Sequence, residues 1–297
     1  MGADLFERSE FFRTLVGIGA EMLGVDLRHI CLRGPQRELM RASRAQALLS
    51  ALSLGYWREL TERGVKPDVV LGHSLGEISS LAAAGVVSPE DAVRIATYRG
   101  QLMDQVAERV AGGMMAALFV PLAAVHEVME SLHAPARIVL ANDNAADQVV
   151  LSGDNDILER FAATVTERQL GKCKRIDVAG PWHSPYMTEA RHAFEAWVER
   201  VEFKAPTVPL VLNALAREET HPLAIRHLIT YQLTSPVYWR ESMNRLREMG
   251  VTMMVEVGPG RVLSGLARVN GFRKDTLLLN ANNMTGVEMA AKAAVSQ

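Results

Sequence analysis

The chain has little cysteine, few aromatic residues and almost no net charge. Its 297 residues include 2 cysteines, 6% aromatics and a formal net charge of −2. Cys31 and Cys173 lack the spacing of a metal or redox motif, so we expect no metal site and a reduced, cytoplasmic compartment. The balanced charge gives no indication of a nucleic-acid partner. No apolar run approaches the length of a membrane span, so no membrane association is expected either.

The chain does have enough apolar sequence for a sizeable core. Hydrophobic residues make up 48% of it, and its length suits one large domain or a domain with an inserted second one. Apolar residues at helical spacing predict helices over residues 5–22 and 45–60. Ser88-Pro89 predicts the start of a third helix, because serine caps a helix and proline suits its first position. Ala111-Gly112-Gly113 ends that pattern.

A different pattern follows residues 111–113. Strands and helices are predicted in the order β-α-β-β-α-β, which is the ferredoxin-like pattern. The four strands cover 114–119, 137–141, 148–152 and 174–178, the helices cover 122–132 and 157–170, and a turn is expected at Asn142-Asp143-Asn144. We interpret this region as a small subdomain inserted into an α/β body. Further buried strands of the body are expected over 208–212 and 253–257.

The most specific motif is Gly72-His73-Ser74-Leu75-Gly76-Glu77. It follows the apolar run Val69-Val70-Leu71 and precedes a helix-like segment, so it predicts a strand, a sharp turn and a helix. A serine framed as G-x-S-x-G on such a turn is a nucleophile elbow, and the helix that follows points N–H groups at the place where an oxyanion would form. The alternative is an ordinary strand-to-helix turn that contains a serine.

Several segments together resemble malonyl-CoA:acyl-carrier-protein transacylases and the acyltransferase domains of polyketide synthases. The resemblance covers nearly the whole chain in family order. The matching segments, besides the elbow, are Tyr98-Arg99-Gly100, Gln148–Gly153, Pro181-Trp182-His183-Ser184, Ala205–Pro209 and Glu256–Gly260. The resemblance implies an α/β-hydrolase-like body with a parallel sheet, formed by residues 1–111 and 180–297, and a ferredoxin-like subdomain formed by residues 112–179.

The resemblance also implies roles for four residues in catalysis. Ser74 would be the nucleophile and His183 the base that a serine hydroxyl needs at neutral pH. The backbone carbonyl of Gln232 would orient His183, so that a dyad replaces the usual triad with its acidic member. The N–H of Leu75 would be one donor of the oxyanion hole.

Five further residues are candidates for substrate binding. Arg99 would pair with the free carboxylate of a malonyl group, since a planar guanidinium meets a carboxylate at two points; the alternative is an arginine on a helix surface. Gln46 and Asn144 match family positions at the pocket wall. His73 is expected to be structural or to line the pocket, because adjacent side chains on an elbow point apart. Trp182 departs from the serine or phenylalanine usual before the histidine, and would either pack in the core or narrow the acyl pocket.

The front of the chain departs most from the family. Family members begin with an apolar strand that ends in a Gly-Gln-Gly loop, and that loop supplies the second oxyanion donor. No such segment precedes Phe6. Either this sequence lacks its true beginning, or the enzyme has one oxyanion donor and one strand of the sheet fewer than the family.

These residues favour an acyltransferase that moves a malonyl group from coenzyme A to the phosphopantetheine thiol of an acyl carrier protein through an acyl-enzyme on Ser74. Malonyl-CoA and the carrier protein are the expected partners, with no cofactor bound by the enzyme itself and a monomeric state. A serine hydrolase that removes acyl groups from carrier proteins is the alternative, and Arg99 argues for the transferase. A third hypothesis is a non-enzymatic binding subunit, against which the set Ser74, His183 and Arg99 argues.

Overall fold

A computed structural model describes residues 1–295 of the chain as a mixed α/β protein. The helices are α1 Ala3–Arg8, α2 Glu10–Leu23, α3 Leu27–Arg33, α4 Gln36–Leu39, α5 Ala42–Glu62, α6 Leu75–Ala83, α7 Pro89–Arg109, α8 Leu122–Ser131, α9 Asn155–Glu167, α10 Thr188–Val198, α11 Pro222–Tyr231, α12 Trp239–Glu248, α13 Val262–Val269 and α14 Met284–Val295. The strands are β1 Val70–Leu71, β2 Gly112–Leu118, β3 Ile138–Ala145, β4 Gln148–Asp154, β5 Lys172–Ile176, β6 Leu210–Leu212, β7 Arg217–Glu218, β8 Met253–Val257 and β9 Leu277–Ala281.

The strands outside residues 112–176 form two small sheets rather than one. In the first, β1 pairs in parallel with β6, and β7 pairs antiparallel with the other edge of β6. In the second, β8 pairs in parallel with β9. Each sheet therefore ends in a strand, β1 or β8, with only one strand neighbour among the described residues.

A cavity of about 420 Å³ separates β1 from β8. Its walls include residues of both strands and of helices α5, α6, α12 and α13. All five residues of β8 are only partly buried, although parallel strands are usually covered by neighbours on every side. A strand laid into this cavity would join the two sheets.

The segment 112–176 forms a separate antiparallel sheet of four strands in the order β3-β4-β2-β5. Helices α8 and α9 connect its strands in the predicted β-α-β-β-α-β sequence. These elements have their own hydrophobic core, built around Phe161, Val125 and Leu151. A larger core covers helices α2, α5 and α7, and a third, smaller one surrounds Trp239 and Phe272.

Two predicted elements differ in the structure. The helix expected over residues 5–22 is broken at Ser9, whose Oγ accepts a hydrogen bond of 3.1 Å from the N–H of Phe12 and so begins α2. The turn expected at Asn142-Asp143-Asn144 is wrong, because these residues lie within β3. Shifts in register beside Asn142 and Asp143 let this polar segment stay in the strand. The turn falls instead on residues 146–147.

Most other predicted elements are confirmed with small changes at their ends. The strand predicted over residues 253–257 matches β8, and the helix predicted to start at Ser88 is α7, with the Ser88 hydroxyl accepting from the N–H of Asp91 at 3.0 Å. Within residues 1–295 no helix has both the length and the apolar character needed to cross a membrane.

Candidate active site

Ser74 lies on the sharp turn between β1 and α6. Its backbone has φ 50° and ψ −104°, a strained conformation for a residue other than glycine. Any side chain at Gly72 would overlap the backbone of Gly76, so the turn requires glycine at position 72. Gly76 itself has free space around its Cα. The structure therefore confirms the strand, turn and helix that the motif predicts, and explains one of its two glycines by steric necessity.

The elbow is held in place by Asn213, which follows β6. The Asn213 side chain donates to the carbonyl of Gly72 at 2.6 Å and accepts from the N–H of Ser74 at 2.7 Å. Asn213 is 1% exposed, so solvent does not compete for these bonds. Sequence reasoning missed this residue, because only the pairing of β1 with β6 brings it to the elbow.

His183 and Ser74 lie within hydrogen-bonding distance. The distance from His183 Nε2 to Ser74 Oγ is 2.8 Å. On the other side of the ring, Nδ1 lies 2.9 Å from the carbonyl oxygen of Gln232 and 3.2 Å from that of Ser235. Because both carbonyls can only accept, Nδ1 carries the proton and Nε2 is free to accept from the serine hydroxyl. The geometry is that of a nucleophile, a base and a neutral group that orients the base.

Burial lowers the pKa of His183 to about 3, and the nearby charge of Arg99 adds to this effect. The bonds to the carbonyls of Gln232 and Ser235 act in the opposite direction. His183 is therefore neutral near pH 7, as a proton acceptor must be.

Arg99 is buried beside Ser74. Its side chain is 2% exposed, and Nη2 donates to Ser74 Oγ at 3.1 Å and to Gln232 Oε1 at 2.9 Å. Nη1 donates to Gln46 Oε1 at 2.8 Å and to Met103 Sδ at 3.3 Å. Burial lowers the pKa of Arg99 to about 10, which still leaves it charged at neutral pH. A buried cation with only neutral hydrogen-bond partners favours an anionic ligand beside Ser74.

Leu75 is the first residue of α6. The N–H groups of Gly76 and Glu77 donate to the carbonyls of His73 and Ser74 at 2.9 and 3.1 Å. The N–H of Leu75 belongs to the same first turn, where no preceding helical carbonyl is available to it. It is thus placed to meet negative charge that develops next to Ser74.

The remaining predicted residues lie in two places. His73 Nε2 is 2.8 Å from Asn144 Oδ1, so these two side chains are brought together one residue from Ser74. Burial lowers the pKa of His73. Trp182 is 8% exposed and belongs to the large hydrophobic core, which is the packing role that the sequence left open for it.

Glu77 is the second residue of the site that sequence reasoning missed. It is the last residue of the elbow motif and is 1% exposed. Its Oε1 accepts from the N–H of Asn213 at 2.5 Å, and its Oε2 accepts from Gln232 Nε2. A buried acid within the motif could have been suspected from the sequence, but its partners follow only from the fold.

Comparison with known protein families agrees with this geometry. The family model of the acyl transferase domain matches residues 1–289. The chain belongs to this family. It is 32% identical over 281 residues to the malonyl CoA-acyl carrier protein transacylase of Bacillus subtilis, covering 94% of this chain and 89% of that protein. It is 31% identical to the polyketide biosynthesis malonyl CoA-acyl carrier protein transacylase PksC of Bacillus subtilis, covering 93% of both.

Solved structures of acyl transferases have the same fold as this one. A malonyl-transacylase in complex with its type II polyketide synthase acyl-carrier protein superimposes with a TM-score of 0.91 at 29% identity, covering 99% of this chain and 94% of that one. This acyl transferase is therefore a mixed α/β enzyme of the same architecture as those transacylases.

Proposed function

We propose that this acyl transferase moves a malonyl group from coenzyme A to the phosphopantetheine thiol of an acyl carrier protein. The observation that carries the proposal is the buried guanidinium of Arg99, 3.1 Å from Ser74 Oγ. An acyl group bound to Ser74 would place a carboxylate, but not a methyl group, in favourable contact with that cation. The names of the similar transacylases support malonyl-CoA as donor and an acyl carrier protein as acceptor.

The proposed reaction has two half-reactions on one dyad. His183 Nε2 takes the proton of Ser74 as Oγ attacks the thioester carbonyl, and the N–H of Leu75 stabilises the oxyanion. The C–S bond then breaks, and the imidazolium returns its proton to the thiolate of coenzyme A. In the second half, His183 takes the proton of the carrier's thiol, the sulfur attacks the ester, and Ser74 regains its proton. The enzyme needs no cofactor of its own for these steps.

The hydrolase alternative uses the same Ser74 and His183 but lets water resolve the acyl-enzyme. Intact-mass measurement distinguishes the two. We expect malonyl-CoA to give a long-lived covalent adduct that disappears when holo carrier protein is added, with malonyl recovered on the carrier. Rapid release of free malonate without the carrier would favour the hydrolase, and the absence of both an adduct and free malonate would contradict both.

The pH dependence of acylation tests the role of His183. Since its pKa is lowered to about 3, the imidazole stays neutral as the pH falls from 8 to 5. A histidine with the ordinary pKa of about 6.5 would lose roughly 30-fold in its neutral fraction over that range. Acetyl-CoA is the suitable substrate, because its acyl group has no carboxylate to engage Arg99. We therefore expect the second-order rate constant of acylation by acetyl-CoA, measured in single turnover, to change by less than about threefold between pH 8 and pH 5. A 30-fold loss would mean that His183 is not held in this desolvated position.

We also propose a finer description of the architecture. Residues 112–179 would form a ferredoxin-like subdomain, supported by the strand order β3-β4-β2-β5 and the separate core around Phe161. Residues 1–111 and 180–297 would form an α/β-hydrolase-like body, supported by the elbow between β1 and α6. We propose a cytoplasmic monomer that acts on its partners without nucleic acid or membrane.

A further inference from the structure

Arg99 has no ion pair in the described part of the chain, and its position depends on neutral groups. The side-chain oxygen of Gln232 accepts from Nη2, the same nitrogen that donates to Ser74. Gln232 is fully buried, so no water replaces that acceptor if it moves. The direction of the Gln232 amide therefore matters for where the guanidinium lies.

An amide side chain can be turned over, which exchanges its acceptor oxygen for its donor NH2. At Gln232 the surroundings select one orientation. Nε2 donates to the backbone carbonyl of Ser74 at 3.0 Å and to Glu77 Oε2, and both of these can accept. The oxygen then faces Arg99 Nη2, which can only donate. Turning the amide over would set NH2 against the guanidinium and oxygen against two acceptors.

Glu77 is itself fixed from the other side. Its Oε1 accepts from the N–H of Asn213, a backbone group that cannot turn over. Burial raises the pKa of Glu77, while the bonds from Asn213 and Gln232 and the charge of Arg99 oppose that rise. Both carboxylate oxygens have N–H donors, which suits the ionised form.

We propose that Glu77 is a positioning residue for acyl selectivity. It fixes the amide of Gln232 so that an oxygen faces Arg99, and this keeps the guanidinium aimed at the carboxylate of the acyl group on Ser74. Glu77 acts through Gln232 and touches no substrate. The inference rests on the proposed function, because it concerns how that site recognises a malonyl group.

Glu77→Gln is the sharpest test, because the change is isosteric and its consequence follows from counting donors. The oxygen of the new amide at position 77 must face the N–H of Asn213, which turns its NH2 towards the NH2 of Gln232. Two donors then face each other, so the Gln232 amide loses one of its two acceptors and is no longer held firmly with its oxygen towards Arg99. Turning the amide over would relieve that contact only by setting its oxygen against the Ser74 carbonyl and its NH2 against the guanidinium, so either response weakens the acceptor that positions Arg99. We expect kcat/KM for malonyl-CoA to fall by about 10–100-fold, the range expected when a charged group loses a hydrogen bond. The effect on acetyl-CoA should be several-fold smaller.

A double-mutant cycle shows whether Glu77 acts through Gln232. Gln232→Met removes the side-chain amide and keeps the backbone carbonyl that orients His183. Gln232→Met should lower the ratio of kcat/KM for malonyl-CoA to that for acetyl-CoA by about the same factor as Glu77→Gln. The double variant should have the same ratio as Gln232→Met alone. If Glu77→Gln fails to fold, Gln232→Met still tests the amide. Additive losses, or equal losses for both substrates, would overturn the proposal.

Glu256→Gln is the matched control. Glu256 also accepts from backbone N–H groups at the start of a helix, those of Leu263 and Ser264 on α13, but it lies outside the network around Ser74. This variant should shift the melting temperature without changing the malonyl-to-acetyl ratio. Should the unaltered enzyme fail to form a malonyl adduct, the proposed function is wrong. If the enzyme prefers malonyl and Glu77→Gln retains that preference, only this inference is wrong.

Discussion

Replacing Ser74 with alanine should abolish the malonyl adduct and reduce transfer to the carrier protein by about 10⁶-fold, the order of magnitude found when the nucleophile of a serine enzyme is removed. The Ser74 hydroxyl receives a hydrogen bond from Arg99 Nη2 and lies 2.8 Å from His183 Nε2, the proposed base. Intact mass after mixing with malonyl-CoA measures the adduct, and transfer to the holo carrier protein measures the rate.

Ser80→Ala is a suitable control for this variant. Ser80 lies on the same helix α6, and its hydroxyl donates to the carbonyl of Gly76 at 3.0 Å, a bond within the helix. Its loss should leave both the adduct and the transfer rate close to those of the unaltered enzyme. A malonyl adduct that persists in Ser74→Ala would show that another residue is the nucleophile.

Arg99→Ala should change which acyl group the enzyme prefers. Leaving a carboxylate next to a desolvated site without its cationic partner costs about 3–5 kcal/mol, which corresponds to a loss of roughly 10²–10⁴-fold in malonyl transfer. Acetyl transfer should fall much less, because an acetyl group has no carboxylate to pair. The ratio of kcat/KM for malonyl-CoA to that for acetyl-CoA is the measurement.

Arg94→Ala is the control that shows whether Arg99→Ala acts through the loss of a positive charge alone or through the loss of contact with the substrate. Arg94 lies on the same helix α7, is largely exposed and pairs with Asp91 at 2.9 Å. Arg94→Ala removes the same charge from the same helix and should leave the ratio unchanged. An equal loss of malonyl and acetyl transfer in Arg99→Ala would mean that Arg99 supports the fold of the site rather than selecting the substrate.

Local signals in the sequence predicted the parts of the site that lie on one segment. The elbow around Ser74 consists of a strand, a tight turn and a helix that follow one another, and the local sequence specifies all three. The helix after Ser88 likewise carries its own cap. At Asn142-Asp143-Asn144 the polar composition predicted a turn, but these residues pair with β4 and stay in the strand, because tertiary pairing outweighs local preference there.

The contacts that complete the site join distant segments, and no local pattern specifies them. Asn213 meets the elbow across 139 residues, and Gln232 meets Glu77 across 155. The resemblance to a family supplied His183, Arg99 and the carbonyl of Gln232. The resemblance did not indicate that the side chain of Gln232 bridges Glu77 and Arg99. That role depends on the orientation of the Gln232 amide, which only the folded structure shows.

The cavity between β1 and β8 also affects how the protein behaves at high concentration. Among the described residues, β1 and β8 each have one edge without a strand partner and both strands line this cavity, and such edges readily pair with extended segments from other chains. Association should therefore grow with protein concentration and be suppressed by a short apolar peptide that occupies the cavity. Self-association at these edges would therefore compete with the proposed monomer as the protein concentration rises.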